Sequence, residues 1–96
     1  MTTTLRLLGS GSENGGCPAL YAADHDRLVV QGIATHSGAA VLVPHVLLDW
    51  AEPGTTISVQ TTDTPGMLLV EGVPVTDDVR ARLTLASDET AVVVTA

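Results

Sequence analysis

The chain has 96 residues and a formal charge of −7, with eleven acids against four arginines (Arg6, Arg27, Arg80, Arg82) and no lysine. So few cations exclude a direct grip on DNA or RNA, which needs several to neutralise phosphates, and an anionic membrane surface repels the chain. No apolar run reaches the roughly 20 residues that cross a bilayer, because Pro44, His45 and Asp49 interrupt the longest one.

In chain order, Thr2 to Leu8 alternates weakly and enters a breaker-rich loop, Gly9-Ser10-Gly11-Ser12-Glu13-Asn14-Gly15-Gly16. After Pro18 the text reads as a hairpin: Ala19 to Ala23, a turn at Asp24-His25-Asp26, and a return over Leu28 to Thr35. Ser37-Gly38 predicts a turn and Ala40 to Val43 a buried strand. Pro44 suits the first position of a short helix, His45 to Glu52, which Pro53-Gly54 stops. On that helix Val46, Leu47 and Trp50 are expected to share one face. Thr56 to Thr62 then reads as a strand, Thr64-Pro65-Gly66-Met67 as a type II turn, and Met67 to Val75 as the return. Thr76 is placed to cap a second short helix whose first turn holds Asp77 and Asp78, with Arg80 and Arg82 further on. Ala91 to Thr95 is a final strand.

The halves read as copies. Leu28-Val29-Val30-Gln31-Gly32-Ile33 matches Leu68-Leu69-Val70-Glu71-Gly72-Val73 at an offset of forty, and Ala40-Val41-Leu42-Val43 matches Ala91-Val92-Val93-Val94 at fifty-one. The difference of eleven residues is about the size of the helix found only in the second half. The expected fold is therefore α+β, predominantly β. Two hairpin-plus-strand units with one or two short helices form a small sheet or barrel. Residues 1–96 make one domain, with a partly flexible 1–16, a first unit over 17–53 and a second over 55–96.

Composition bears on association. Hydrophobic residues make up 45% and charged residues 16%, against a usual charged share of about 25%. With no Phe, and Tyr21 and Trp50 the only aromatics, the apolar text is Val, Leu and Ala, and strand-favouring. A chain this small leaves apolar surface outside a monomer, which predicts a homodimer or a protein partner. Cys17 is the single cysteine, so no intramolecular disulfide forms. No signal-peptide hydrophobic region precedes Ser12, and the expected location is cytoplasmic.

Motifs that carry chemistry are weak. Gly9-x-Gly11-x-x-x-Gly15 resembles a dinucleotide loop, but Pro18 follows it and no long helix does. There is no Gly-Lys-Ser/Thr, which excludes a P-loop. Cys17 as a nucleophile needs a base, and spacing places none of His25, His36 or His45 beside it. Asp24-His25-Asp26 offers metal-capable side chains that do not converge unless the turn curls around an ion, and a divalent site needs more ligands. Asp77-Asp78 and Asp88-Glu89 read as a helix start and a turn rather than an acid/base pair. No catalytic, cofactor-binding or metal-binding residue is expected, and no cofactor.

Leu7-Leu8-Gly9, Gly15-Gly16-Cys17-Pro18-Ala19-Leu20-Tyr21, Val29-Val30-Gln31-Gly32 and Val43-Pro44 with Leu47-Leu48 resemble a group of small acidic actinobacterial proteins encoded beside helix-turn-helix regulators. In that group the Val-Gln-Gly strand runs into a Val-Thr-Asp turn and a short helix. Here Ala34 to Ala39 stands in that place, while Val75-Thr76-Asp77 carries the piece after the second strand. The resemblance implies a regulatory neighbourhood and a non-enzymatic role, and it brings no catalytic or cofactor residue with it. The functional expectation is a non-enzymatic, dimeric protein-interaction module accessory to a DNA-binding transcriptional regulator, with Tyr21, Val46, Leu47 and Trp50 as contact residues. The alternative is a small-ligand or metal-binding domain using the glycine loop and the Asp24-His25-Asp26 turn; an enzyme built on Cys17 ranks last.

Overall fold

The computed structural model describes residues 4–11 and 18–95; the Ser12 to Gly16 part of the glycine loop and Cys17 lie outside them. Valine-rich segments form eight strands: β1 (Arg6–Ser10), β2 (Ala19–Ala22), β3 (Arg27–Ala34), β4 (Ala40–Pro44), β5 (Gln60–Thr61), β6 (Met67–Glu71), β7 (Val73–Pro74) and β8 (Glu89–Thr95). A 3-10 helix covers His45–Trp50, and one four-residue α-helix, α1, covers Asp77–Arg80. All pairings are antiparallel. The sheet runs β1-β2-β3-β4-β6-β5, with β8 inserted between β3 and β7, so the fold is the expected α+β with strands dominating.

Exchanging the two halves leaves the pairing pattern unchanged. β3 meets β8 with Leu28 opposite Val94, Val29 opposite Val93, Val30 opposite Val92 and Gln31 opposite Ala91. β6 meets β4 with Leu68 opposite Val43, Leu69 opposite Leu42, Val70 opposite Val41 and Glu71 opposite Ala40. The strand ends repeat this: Ile33 and Ala34 face Leu42 and Val41, as Val73 and Pro74 face Val93 and Val92. The outer strands correspond too, Tyr21 opposite Val29 on one side and Gln60 opposite Leu69 on the other. The forty and fifty-one offsets thus carry one set of pairings onto the other. Each half lends its last strand to the other, and the pairings close a loop through the middle of the sheet, while β1 and β5 keep open edges.

The exchange requires two glycines. A Cβ on Gly32 would lie 2.5 Å from the Leu42 carbonyl oxygen and 2.7 Å from Val43 Cγ1. A Cβ on Gly72 would lie 2.4 Å from the Val93 oxygen and 2.9 Å from Val94 Cγ1. At these crossings only a residue without a side chain lets one strand pass from its own partner to that of the other half. Gly72 also ends β6, so the expected Met67 to Val75 return is two strands, β6 and β7.

Alternation sorts the side chains. Leu28, Val30, Val41, Val43, Leu68, Val70 and Val92 point inward with Leu20 and Leu47 into the main core. The 3-10 helix closes one end. Residues three apart eclipse on such a helix, so Leu47 and Trp50 turn to the core and Val46 turns out. The expected common face of Val46, Leu47 and Trp50 is thereby split, because the turn is tighter than an α-helix. Trp50 packs on Gly9, where a Cβ would come within 2.4 Å of the indole. A register shift between Leu7 and Gly9 turns Leu8 inward and leaves Leu7 exposed. Of the expected Thr56 to Thr62 strand, only Gln60–Thr61 pairs.

Gly72→Ala and Gly32→Ala are each expected to lower unfolding stability by about 2–3 kcal/mol, the overpacking range. Gly38→Ala, at a left-handed φ of 70° with open space around it, is expected to cost only about 1 kcal/mol. Urea titration of the three variants checks this, and equal losses would refute the crossing argument.

Candidate functional site

The outward side chains make two equivalent faces. On the first, a row runs Tyr21–Val29–Val93–Val73 across β2, β3, β8 and β7. On the second, the corresponding row is Gln60–Leu69–Leu42–Ile33 across β5, β6, β4 and the end of β3. The same backbone therefore presents two surfaces, and the side chains and the crossover loops set their differences.

The first face is covered. Its crossover from β7 to β8 contains α1, with Thr76 as the cap: Thr76 Oγ1 accepts the Val79 N–H at 3.4 Å, as the Thr76-Asp77-Asp78 text predicts. Val79, Val29 and Ala91 are buried together, with Tyr21, Val75, Leu83 and Val93 packed around them. Beyond α1 the chain is tied down by two buried polar side chains. Gln31, 1% exposed, donates from Nε2 to the Thr84 carbonyl at 2.7 Å. Glu89, 3% exposed, accepts the Ala86 N–H on Oε1 at 2.7 Å, while its Oε2 has no partner among the described residues. Sequence reading took Glu89 for a turn residue; it is a buried anchor of the layer that covers this face.

That cover leaves an open cleft of about 560 Å³ at one end of the face, within the roughly 300–1,000 Å³ of small-molecule sites. Val29, Val73, Pro74 and Val93 form its floor and Val79 its wall. The rim carries Asp24, His25, Arg27, Thr76 and Thr95. Arg27 and Thr95 are direct cross-strand partners, so their side chains stand side by side on the cleft side of the sheet. The Arg27 guanidinium makes no ion pair or hydrogen bond among the described residues. Asp24 accepts the Thr4 N–H on Oδ2 at 3.1 Å.

The Asp24-His25-Asp26 turn is therefore part of the rim. His25 and Asp26 both have φ of 60°, the left-handed pair of a two-residue hairpin turn where Asn and Gly are the comfortable residues. Among the described residues no group of three or more His, Cys, Asp or Glu is placed to hold a metal ion.

The second face has no such cover. Its crossover from β3 to β4 is the short turn between Ala34 and Ala40. Leu42, Leu69, Met67 and Pro44 are only half-buried, pack into neither apolar cluster, and lie beside Ile33, which is 40% exposed. Where the first face pairs Arg27 with Thr95, this one pairs Met67 with Pro44. Glu71, beside this face, is hydrogen-bonded by the Gln60 amide.

The expected contact residues scatter. Tyr21 lies half-buried on the first face, Val46 is 46% exposed, Leu47 is wholly in the core, and Trp50 is half-buried between the core and Gly9. His36 and His45 are exposed and lie apart from the cleft. Sequence reading missed Arg27 with Thr95 and Leu42 with Leu69. The repeat offsets equate one half with the other but do not say which strands pair, so only the fold brings each pair together. Among the described residues no helix is long and apolar enough to cross a membrane.

Asp26→Gly relieves a left-handed side chain without touching the cleft lining. It is expected to raise stability by about 0.5–1 kcal/mol, read as an upward shift of the thermal midpoint. A loss of stability would show that the Asp26 carboxylate holds the turn.

No family model, no curated protein and no solved structure matches the chain, so the reading of these faces rests on their geometry.

Proposed function

We propose that this protein is a non-enzymatic cytoplasmic interaction module that pairs with a second copy of itself and serves a DNA-binding transcriptional regulator. The observation that carries the reading is the contrast between the two equivalent faces. One carries α1 and its loop over Val29 and Ala91, whereas the other has no helix over it and leaves the Leu42–Leu69 pair half-buried beside an exposed Ile33. Electrostatics selects the occupant of the bare face. Two copies that each carry −7 repel one another, so they approach best where charge is sparse. The Met67, Pro44, Leu69, Leu42 and Ile33 strip is itself uncharged, and Glu71 beside it is hydrogen-bonded by Gln60. A two-fold contact there buries the same patch from both copies.

Four of the eleven acids gather about the cleft. Asp24 and Asp26 flank the hairpin turn and Asp77 and Asp78 open α1, all four exposed near the cleft. That arrangement suits the basic face of a regulator, whose approach it would steer by complementary charge. The resemblance to small acidic proteins encoded beside helix-turn-helix regulators supports the same partner class. A second reading, a small-ligand domain, is favoured by the cleft itself, which combines an apolar floor with a few polar groups.

Light scattering after size exclusion tests the pairing. The expected mass is twice 9.9 kDa, falling to the single-chain value in Leu69→Glu, which sets two carboxylates against each other across the two-fold. A monomeric parent protein, or a Leu69→Glu variant that stays dimeric, would overturn this face as the contact. Affinity capture from the native host at low and high salt tests the regulator: its recovery at low salt and loss at high salt is the expected outcome, and capture of the chain alone would overturn it.

A further inference from the structure

The 560 Å³ cleft and its charged rim occur together on one face; at the equivalent place on the other, a hollow of about 380 Å³ is lined by Ala34, Thr35, His36 and Leu42, with no carboxylate or guanidinium. At the end of the bare face the positions corresponding to Asp24 and Arg27 are Thr64 and Met67, and that corresponding to Thr95 is Pro44. The face that carries α1, and with it the Val79 wall, has an acid, a guanidinium and a hydroxyl around the opening, drawn from both halves. A helix serving only to cover the valine floor would need no such groups. Arg27 is the informative one: a cation beside an apolar floor, next to a hydroxyl donor, and without a bonding partner among the described residues.

We propose that this cleft binds an aliphatic α-amino acid, with its carboxylate on Arg27 and Thr95, its ammonium towards Asp24, and its side chain on the valine floor. Each part follows from chemistry already on the rim. Guanidinium and hydroxyl donors match the two oxygens of a carboxylate. Of the floor residues, exposed Val73 and half-buried Val93 offer methyl groups to whatever lies there, while Val29 is buried. A bare carboxylate would have to approach a chain of charge −7 beside Asp24; the ammonium of a zwitterion turns that field from a cost into an attraction. The cleft is too small and too open for a cofactor of dinucleotide size, and a branched or straight aliphatic chain of four or five carbons covers the floor.

The proposal rests on the small-ligand reading, and the experiment separates the two. The probes are L-leucine, 4-methylpentanoate, which lacks the ammonium, and 3-methylbutylamine, which lacks the carboxylate. Valine-methyl NMR of the full chain follows Val29, Val73, Val79 and Val93 during titration. Leucine is expected to give saturable shifts at these methyls, with each analogue at least about tenfold weaker, the loss expected for one charge-assisted contact. Arg27→Gln, at an exposed position, is expected to reduce leucine to the affinity of the amine analogue, and Asp24→Asn to that of the carboxylate analogue. Thr95→Val, which keeps the side-chain shape, is expected to weaken leucine and the carboxylate together. Saturable shifts that are equal for all three probes, or that survive Arg27→Gln, would overturn the amino-acid assignment and leave an apolar-ligand cleft. No shift from any probe up to about 20 mM, a concentration that detects even millimolar binding, would overturn the assignment and the small-ligand reading together.

Discussion

Two backbone crossings hold the architecture together. At Gly32 and at Gly72 a strand passes within side-chain distance of a carbonyl on the strand it is joining. Beyond each crossing the chain has changed partner. β3 ends against β4 after running along β8, and β7 continues on β8 after β6 has run along β4. Any Cβ at either point would push the strands apart, and the hydrogen-bonded register on both sides would slip. A slip of one residue would turn Val30, Val70, Val41 and Val92 out of the core. The core therefore depends on two missing side chains as much as on the valines that fill it.

This exchange also explains how so small and valine-dependent a chain gathers a core. Aromatic bulk is nearly absent, and nine buried residues of the main cluster come from both halves. Neither half holds enough inward valines and leucines to exclude water by itself. Interlocking brings the inward rows of four strands together and leaves few strand edges open. The same interlocking commits the outward rows in equivalent pairs. Nothing in the core distinguishes one outward face from the other, so their chemistry is free to differ.

Much of this was written in the sequence, and the remainder was hidden for identifiable reasons. The match of Leu28–Ile33 with Leu68–Val73 already showed the two equivalent strands, both glycines included, and Thr76 before Asp77-Asp78 marked the start of α1. The helix after Pro44 was legible as a turn of chain, but not as a 3-10 helix, since apolar residues at 46, 47 and 50 fit either spacing. Thr56 to Thr62 has strand composition, yet its early part has no neighbour to pair with, and composition cannot supply one. Arg27 and Thr95 are nearly seventy positions apart and belong to no motif; only the pairing of β3 with β8 sets them side by side. Glu89 reads as a solvated turn acid until the crossover folds over it.

The two faces differ at corresponding positions, and the differences are concerted. On the bare face Met67, Pro44, Leu69 and Leu42 remove charge from the sheet surface. On the covered face Arg27 and Thr95 add polarity at the same level of the sheet, while the added crossover supplies Val79 above the floor. At the sheet end the apolar pair Met67 and Pro44 is half-buried on the face that no helix covers, and the polar pair Arg27 and Thr95 is exposed at the mouth of the cleft beside α1. An uncovered apolar strip favours burial against another protein surface, and an exposed guanidinium at the edge of a valine-lined cleft favours an amphipathic ligand. With one interlocked core beneath both, a change confined to either face leaves the glycine crossings, and hence the fold, intact.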